Sequence, residues 1–492
     1  MKTPSYLLLS LVALAVFLTA LDQTVVVTAL AYILPDMRVP PTELDRGAWI
    51  ITGYLLGYTA AMPLLGRVAD VYGHKRIFLM ALALFALGSV AVALSPSLGW
   101  LIASRILQAV GGGATVPIGL ALAADCLPEG RRGIALGAIA AAAETGGVLG
   151  PLWGGAILEF LDWRWIFWVN IPLVALVGAP LLRIPTPDVR PARSVDYVGG
   201  ILLALSLTAL SLGLSGTLPN GTLVPALPLV GLAGALLALF VVRTARGRTT
   251  LIPLGLFRRL PFSAANVSHL LLGGALIIAM TTVPLMTNTV LLQDPLEGGL
   301  RLMRLTAALP VGAIIGGYLT QRAGYRLPAV LGFLLSAVGF YFMSSWTKDI
   351  ADPALTLHLV TAGLGFGLVL APIATATVDA VPEEQRGVAS AVVSAMRLVG
   401  MLIGLAALSS WGTGQFSVLT AHISSPFPQP GDTAEVLQQR LLDYQAQVGE
   451  AAMALYRDFF RISMVLSLLA IIPALFMARN HVEPTPREGP HT

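Results

Sequence analysis

The chain repeatedly shows uninterrupted apolar stretches of about 20 residues, which is enough to cross the hydrocarbon core of a bilayer as a helix. Hydrophobic residues make up 56% of the 492 residues and charged residues only 11%. A soluble domain carries about 25% charged residues. A chain of this composition therefore has too few charged residues to form a surface that is exposed to water. Lipid admits only structures that pair their own backbone groups. The sequence therefore predicts an all-α membrane protein.

The apolar stretches number fourteen. The predicted spans are 6–33, 48–66, 77–95, 98–123, 133–158, 163–183, 196–216, 222–242, 262–292, 300–320, 327–346, 355–378, 386–410 and 460–479. An even number places both termini on one side, and the larger share of Lys and Arg lies in loops on that side. The positive-inside rule then predicts that both termini are cytoplasmic. No small-residue cleavage site marks the first stretch, so we expect a retained helix and not a signal peptide.

Several functional classes are disfavoured by composition and motifs. The net charge of +4 comes from basic residues scattered among short loops, which does not indicate nucleic-acid binding. The single cysteine, Cys126, excludes an internal disulfide and a multi-cysteine metal site. His269, His358 and His422 are too dispersed to predict a metal site. The sequence has no phosphate-binding P-loop, so we expect a proton gradient, not ATP or another cofactor, as the energy source.

The chain also repeats itself. LPEGRRGIALG at 127–137 returns as VPEEQRGVASA at 381–391, and GRVADVYGHKR at 66–76 returns more weakly as GGYLTQRAGYR. Internal repeats of this kind are typical of transporters whose halves rock around a central site. We therefore predict three regions. They are a six-helix half over 1–185, two linker helices over 186–260, and a six-helix half over 261–492 with an outer helical extension at about 411–460.

Five segments resemble signatures of the major facilitator superfamily. GRVADVYGHKR resembles its loop between helices 2 and 3, and LIASRILQAVGGG at 101–113 is similar to its helix 4 motif. GAIAAAAETGGVLGPLWGG at 137–155 fits the antiporter motif of helix 5 at every position. The residues of that motif are Gly137, Gly146, Gly150, Pro151, Gly154 and Gly155. ALDQTVVVTAL and DWRWIFWVNIP resemble signatures of the fourteen-helix drug:proton antiporters.

Within that group the sequence is most similar to the mycobacterial-type triacylglyceride and multidrug exporter branch. The segments that carry this similarity are WIITGYLLGYTAAMPLLGRVAD at 49–70, ALPVGAIIGGYLTQRAGYR at 308–326 and GMLIGLAALSSWG at 400–412. Val71, His74 and Ala109 depart from the superfamily motifs. The resemblance implies two six-helix halves with two linker helices, in the inner membrane of a bacterium. It also implies an extracytoplasmic lipid-carrier lipoprotein as a partner, and we expect a monomer.

Four ionisable residues lie inside predicted spans, where each costs roughly 3 kcal/mol by insertion scales. Asp22 and Arg105 fall at a similar depth, so they are expected to meet, either as a proton-coupling pair or as a static structural pair. Glu144 maps through the repeat to a position next to Arg397, at the same depth in the other half. We predict that this second pair bridges the halves and breaks when Glu144 takes a proton. The alternative is that each residue pairs within its own half.

The first loop motif is predicted to form a gate. Its candidate residues are Gly66, Asp70, Gly73, Lys75 and Arg76. The resemblance implies that the Asp70 carboxylate and the basic residues latch the cytoplasmic side in the outward-open state. Ordinary positive-inside charge would explain the bases but not Asp70.

The leading functional hypothesis is a proton-coupled exporter of lipid-like or other hydrophobic compounds by alternating access. Most residues in the spans are apolar, whereas a sugar or phosphate site would need more polar groups. A general multidrug:proton antiporter is the alternative, because lipids and drugs are both apolar. We expect no enzyme, since no nucleophile–base pair can be assembled at one depth. A receptor or scaffold would not need Asp22 or Glu144.

Overall fold

The computed structural model describes residues 3–40, 43–126, 129–185, 195–216, 218, 222–246, 254–382, 385–424 and 433–477. The helices of the first part are α1 (Thr3–Asp36), α2 (Leu44–Tyr72), α3 (His74–Ala93), α4 (Leu98–Cys126), α5 (Glu129–Phe160), α6 (Trp165–Trp168) and α7 (Asn170–Arg183). Two further helices follow, α8 (Tyr197–Ser215) and α9 (Ala226–Arg246). After a 3₁₀ turn at Leu254–Arg258, the rest are α10 (Leu260–Thr289), α11 (Pro295–Ala323), α12 (Arg326–Met343), α13 (Asp352–Asp379), α14 (Arg386–Thr420) and α15 (Ala434–Ala474).

The predicted all-α fold with fourteen spans is confirmed. Within the described residues, twelve helices are long and apolar enough to cross a membrane, and they include α6 and α7 counted as one broken span. The remaining two are α5, which packs along α1 and α11, and α15, which packs along α10 and α12. We call the end of the bundle where α1 begins and α15 ends the terminal side, and the opposite end the distal side.

The helices near the chain's end are longer than the predicted spans. Helix α15 runs without interruption from Ala434 to Ala474, so the last predicted span, 460–479, continues as helix through most of the predicted outer extension at about 411–460. Helix α14 likewise continues beyond the predicted end of its span at 410, as far as Thr420. Hydropathy marks the apolar centre of a helix, whereas backbone hydrogen bonds continue into its polar end.

Glycines allow α5 to lie directly against α1. A Cβ added to Gly146 would lie 2.3 Å from the carbonyl oxygen of Phe17, and one on Gly154 would lie 2.4 Å from the Thr28 hydroxyl. Gly150, between them, is equally close to α1. These glycines of the antiporter motif therefore let the backbones of α5 and α1 approach closely.

The second half repeats this packing at positions that the sequence repeat relates. Gly400 and Gly404 on α14 stand 254 residues after Gly146 and Gly150. A Cβ on Gly400 would lie 1.9 Å from the carbonyl oxygen of Leu270, so α14 lies on α10 as α5 lies on α1. The sequence repeat therefore relates the glycines of α14 to those of α5, whereas the antiporter motif alone identifies only the glycines of α5.

The packing of α5 predicts unequal effects for two adjacent glycines. Gly146→Ala should lower the free energy of unfolding by about 1–3 kcal/mol, because the new methyl group would overlap the α1 backbone. Gly147→Ala is the matched control, since a Cβ there has no neighbour within 4 Å. Thermal unfolding of the two purified variants measures the difference. Equal transition temperatures would contradict the tight approach of α1 and α5.

The linker helices lean against one side of the bundle. Helix α8 packs on both α2 and α14, and the Trp49 indole N–H donates to the Ser215 hydroxyl at 3.1 Å. Helix α9 packs mainly on α8, and an ion pair between Arg243 and Asp196 (3.0 Å) joins their terminal ends. Asp196 also caps α8 by accepting a hydrogen bond from the Gly199 amide. Helix α8 thus covers the seam between α2 and α14.

On the other seam the distal parts of α5 and α11 are in close contact. A Cβ on Gly299 would lie 2.4 Å from the Pro151 carbonyl oxygen, and one on Gly155 would lie 2.9 Å from that of Pro295. These positions belong to the last turns of α5 and the first turns of α11. Helices α5 and α11 are therefore in direct contact on the distal side.

Candidate functional site

The first candidate site is a buried network around Asp22 on α1. Arg105 on α4 donates from Nη1 to Asp22 Oδ2 at 2.7 Å, and both side chains are 1% exposed. The other carboxylate oxygen accepts from Gln108 Nε2 at 3.0 Å and from Asn170 Nδ2 at 2.8 Å. The Ser89 hydroxyl also accepts from Gln108, at 2.8 Å. The structure thus brings together the predicted pair and supplies three further partners.

The backbone explains how these partners converge. Gln108 follows Arg105 by three residues and therefore shares its face of α4. Asn170 is the first residue of α7, immediately after the break that separates this helix from α6. The break turns the Asn170 amide toward α1. The motif DWRWIFWVNIP contains Asn170, but the spacing within it does not reveal Asp22 as the partner, and sequence reasoning missed this residue together with Gln108 and Ser89.

The Asp22 network is sealed and charge-balanced in this conformation. The carboxylate accepts three hydrogen bonds from buried donors, and the Arg105 guanidinium balances its charge. Arg105 also lies over the ring of Tyr54, with Cζ 4.0 Å from the ring centroid. Asp22 is fully buried in this conformation, so its carboxylate is held away from solvent.

The second candidate site bridges α5 and α14. Arg397 Nη2 donates to Glu144 Oε1 at 3.3 Å, which joins residues 253 positions apart. The side chain of Glu144 is 50% exposed and that of Arg397 is 23% exposed. The structure therefore forms the pair that the repeat predicts. Both side chains lie between the two halves and yet are partly exposed. The two halves are therefore separated by an open gap beside this pair.

Helix geometry separates Glu144 from the packed face of α5. Gly146 is buried against α1, whereas Glu144, about 200° around the helix, faces α14. Pro151 is buried about two turns after Glu144, and its carbonyl oxygen faces Gly299 of α11. Gly137 lies in α5, but its surroundings are outside the described residues. Helix α5 thus packs one face against α1, bridges to α14 through the Glu144 carboxylate, and contacts α11 towards its distal end.

The predicted gating loop lies at the terminal ends of α2 and α3. Asp70 accepts from Arg67 at 3.1 Å and lies 3.2 Å from His74 Nε2, so its bonds remain within its own half. His74, which departs from the superfamily motif, therefore still supplies a partner for Asp70. Gly73 has a φ of 103°, which favours glycine and makes the sharp turn between the two helices.

The other residues of the gating loop have different surroundings. Lys75 donates to the carbonyl oxygens of Leu182 and Ile184, so it caps the end of α7. Arg76 is exposed. Gly66 is loosely packed, since an added Cβ would meet only Pro117, at 3.7 Å. Asp70 and Gly73 thus lie at the turn between α2 and α3, whereas Lys75 binds the end of α7.

The histidines belong to separate environments. His269 is buried on α10 and lies 2.7 Å from the Val393 carbonyl oxygen, and His358 accepts from the Trp346 indole N–H at 3.0 Å. Among the described residues, no group of three or more His, Cys, Asp or Glu side chains could hold a metal ion.

Comparisons with known proteins agree on a family. The Major Facilitator Superfamily profile matches residues 12–405 and 265–491. A triacylglyceride transporter of Mycolicibacterium smegmatis is 39% identical over 486 residues, covering 95% of this chain and 87% of that protein. A triacylglyceride transporter of Mycobacterium tuberculosis is 40% identical over 505 residues, covering 97% and 96%.

Solved structures give the same fold at low identity. A bacterial homologue of the lysosomal transporter Spinster, in an inward-facing and unoccupied conformation, matches with a TM-score of 0.67 and 17% identity, over 98% of this chain and 100% of that one. A D-xylose–proton symporter matches with a TM-score of 0.62 and 14% identity, over 92% and 97%. At these identities the likeness concerns the architecture alone.

Proposed function

The chain belongs to the major facilitator superfamily, and on that basis we propose that it is a proton-coupled exporter of lipid-like compounds, triacylglycerides above all, by alternating access. Proteins of this family are transporters and not enzymes, and the curated relatives are named as triacylglyceride transporters. The proton gradient supplies the energy in this proposal, with no bound cofactor.

The observation that carries the proposal is the ion pair between Glu144 and Arg397. It joins α5 to α14 across the gap while the distal parts of α5 and α11 are in contact. Protonation of Glu144 removes the attraction to Arg397 and favours separation of the halves. Proton binding and release are thereby coupled to the change between conformations that are open to opposite sides of the membrane.

The second charge pair fits the same cycle. Asp22 is sealed among its donors in the present conformation, while Glu144 is half exposed. We propose that the two carboxylates bind protons at different stages, because their accessibility differs within one conformation. A static structural role for Asp22 would leave transport independent of its charge.

The substrate assignment rests on two features. The curated relatives carry triacylglyceride in their names, and the residues inside the spans are mainly apolar, which suits an acyl chain. A general multidrug:proton antiporter is the second candidate, since the same apolar lining would accept lipophilic drugs. Competition between labelled triolein and a lipophilic dye for transport separates the two.

We further propose an orientation and setting. The terminal side, which carries the larger share of Lys and Arg, is cytoplasmic, in the inner membrane of a bacterium. The present conformation, closed on the distal side, is then inward-open. We also propose that the exporter acts as a monomer and delivers lipid to an extracytoplasmic lipoprotein, for which the outer part of α15 offers the adjacent surface.

The test is transport by the purified protein in liposomes. A proton gradient across the membrane should drive movement of fluorescent triacylglycerol, and an ionophore that collapses the gradient should abolish it. Protein-free liposomes are the control for leakage. If the wild-type protein moved neither triacylglycerol nor dye under a gradient, the proposal would be refuted.

The gating loop provides a smaller prediction. Asp70→Asn should lower the transport rate about tenfold, because the latch of the terminal side loses its carboxylate, a loss of about 1.4 kcal/mol in the rate-limiting step. Asp458→Asn is the matched control, since Asp458 also pairs with an arginine three residues away, Arg461. Initial rates in liposomes measure the effect. Equal rates for the two variants would contradict a gating role for Asp70.

A further inference from the structure

Arg301 on α11 is a buried cation without a partner. The residue is 7% exposed, and its Nε and Nη1 atoms are buried and have no hydrogen-bond partner. Among the described residues no ion pair joins Arg301 to Glu297, which stands one turn earlier on the same helix. Buried polar groups in proteins are almost always hydrogen-bonded, and an unpaired buried charge is costlier still. The fold alone therefore does not explain Arg301.

A second unpartnered polar group, the Asn288 amide at the distal end of α10, lies beside the same turn of α11. Both Oδ1 and Nδ2 of Asn288 are buried and have no hydrogen-bond partner. A Cβ added to Gly298 would lie 2.8 Å from Asn288 Oδ1, so the amide lies directly against this glycine. Arg301 follows Gly298 by three residues, and long side chains on a helix lean back over the preceding turn. The guanidinium and the amide are therefore neighbours at Gly298.

The repeat relates this turn of α11 to a turn of α2. Gly73 and Gly324, each with a positive φ, directly follow the last residues of α2 and α11. Gly47 and Gly298 stand 26 residues before them, so they occupy equivalent positions in the two halves. A Cβ on Gly47 would lie 2.4 Å from Leu34 Cδ2 on α1, which repeats the contact of Gly298 with the end of α10.

In the first half this position is filled by apolar side chains. Leu34 corresponds to Asn288, and Ile50, three residues after Gly47, corresponds to Arg301; Leu34 and Ile50 are both buried. The packing at this position of the fold is thus satisfied by an apolar pair. The second half has two polar groups there, and their hydrogen-bonding atoms lack partners. Polar groups that the packing does not require are expected at functional sites.

We propose that Arg301 and Asn288 form a binding site for the oxyanion headgroup of an acyl lipid, a carboxylate or a phosphate, at the distal end of the second half. A guanidinium and an amide N–H both donate to such oxygens, and the bond from the cation is charge-assisted. The flanking residues Met286 and Leu302 are apolar and buried, which suits an acyl chain better than a free ion. The ligand goes beyond the proposed substrate, because triacylglycerides carry no charge.

The site lies next to the seam that closes the distal side. A Cβ on Gly299, the residue after Gly298, would lie 2.4 Å from the Pro151 carbonyl oxygen of α5. Separation of α5 from α11 would move this turn of α11, so access for a lipid rests on the proposed alternating access. Asp352 on α13 is engaged elsewhere, because it pairs with Arg304 at 2.6 Å. An acceptor for Arg301 must therefore come from a ligand.

Equilibrium binding to the purified full chain in a nonionic detergent tests the site. The probes are radiolabelled oleate, phosphatidate and triolein, and inorganic phosphate serves as a competitor without an acyl chain. Oleate or phosphatidate should bind, and the tighter of the two identifies the oxyanion. Arg301→Gln should weaken this binding at least about tenfold, because the charged donor is lost. Asn288→Leu, which introduces the residue type of the first half, should weaken it about threefold. Neither variant should change the binding of triolein.

Two further variants separate a ligand site from a structural role. Arg304→Gln is the matched control, since Arg304 is an arginine one turn from Arg301 that has its own partner, and oxyanion binding should be unchanged. Arg301→Ile introduces the residue type of the first half. In the absence of lipid it should unfold at or above the temperature of the parent, because it removes an unpaired buried charge. Asn288→Leu tests the site if the Arg301 variants fail to fold.

Three results would overturn the site. They are oxyanion binding that is unchanged in Arg301→Gln and Asn288→Leu, displacement of the lipid by equimolar inorganic phosphate, and unfolding of Arg301→Ile several degrees below the parent. The proposed function fails on a different result, because binding is measured without a proton gradient. If the parent binds the oxyanion lipid but moves no triacylglycerol in liposomes, the site stands and the proposed function fails.

Discussion

Replacing Asp22 by Asn should abolish proton-driven transport and also destabilise the protein. The substitution removes the charge that balances Arg105, which is 1% exposed and has no second carboxylate partner among the described hydrogen bonds. Breaking one side of a buried ion pair costs about 3–5 kcal/mol. Thermal unfolding should therefore occur several degrees lower, and transport in liposomes should fall about a hundredfold or more, because the proton-binding group is gone.

A second variant separates these two effects. Asp22→Asn combined with Arg105→Gln removes both charges, so it should recover much of the lost stability while remaining inactive. Recovery of transport in the double variant would assign Asp22 a purely structural role. Unchanged transport in the single variant would remove Asp22 from the coupling mechanism altogether.

The sequence predicts the fold well because lipid leaves few alternatives. Long apolar stretches in a chain with 11% charge must become helices, and fourteen such stretches give the fourteen observed spans. The glycine strip on α5 likewise predicts its close approach to α1, since only glycine lets the backbones touch. Hydropathy alone ends before the helix does at the outer end of α14, which continues from the predicted span end at 410 to Thr420.

The charged partners could be predicted only in part. Asp22 and Arg105 stand out because an ionisable residue in a span requires a reason, and Arg397 is found through the repeat. Asn170, Gln108 and Ser89 do not stand out, because neutral polar residues occur in many spans without a specific role. Their positions around Asp22 depend on the break between α6 and α7 and on helix rotation, neither of which a hydropathy pattern contains.

The same limit applies to the gating loop. The motif indicates a loop between helices 2 and 3, and the structure narrows this loop to a turn at Gly73, whose positive φ explains the glycine. The partner of Lys75 was not evident, because the carbonyl oxygens that it binds belong to α7, more than 100 residues away. A basic residue in a loop has many available acceptors, and the tertiary packing selects among them.

Replacing Glu144 by Gln should uncouple transport from the proton gradient while leaving the fold intact. Glu144 is half exposed, so loss of its pair should change the free energy of unfolding by no more than about 1 kcal/mol. The accumulation of substrate against its gradient should fall at least about tenfold, since the glutamine cannot bind and release a proton. Exchange of substrate between equal concentrations should persist, because the opening between the halves does not require the carboxylate.

Exchanging the charges tests whether the pair itself is the coupling element. Arg397→Glu alone should be inactive, because two carboxylates then repel each other across the gap, and Glu144→Arg with Arg397→Glu should restore part of the accumulation. Arg304→Gln is the control, since it breaks an ion pair of similar exposure, with Asp352, that lies within one half. Accumulation that is insensitive to Glu144→Gln, or lost equally in Arg304→Gln, would contradict the bridging role. Recovery in the exchanged pair would show that attraction between α5 and α14, and not either residue alone, holds the halves in this conformation.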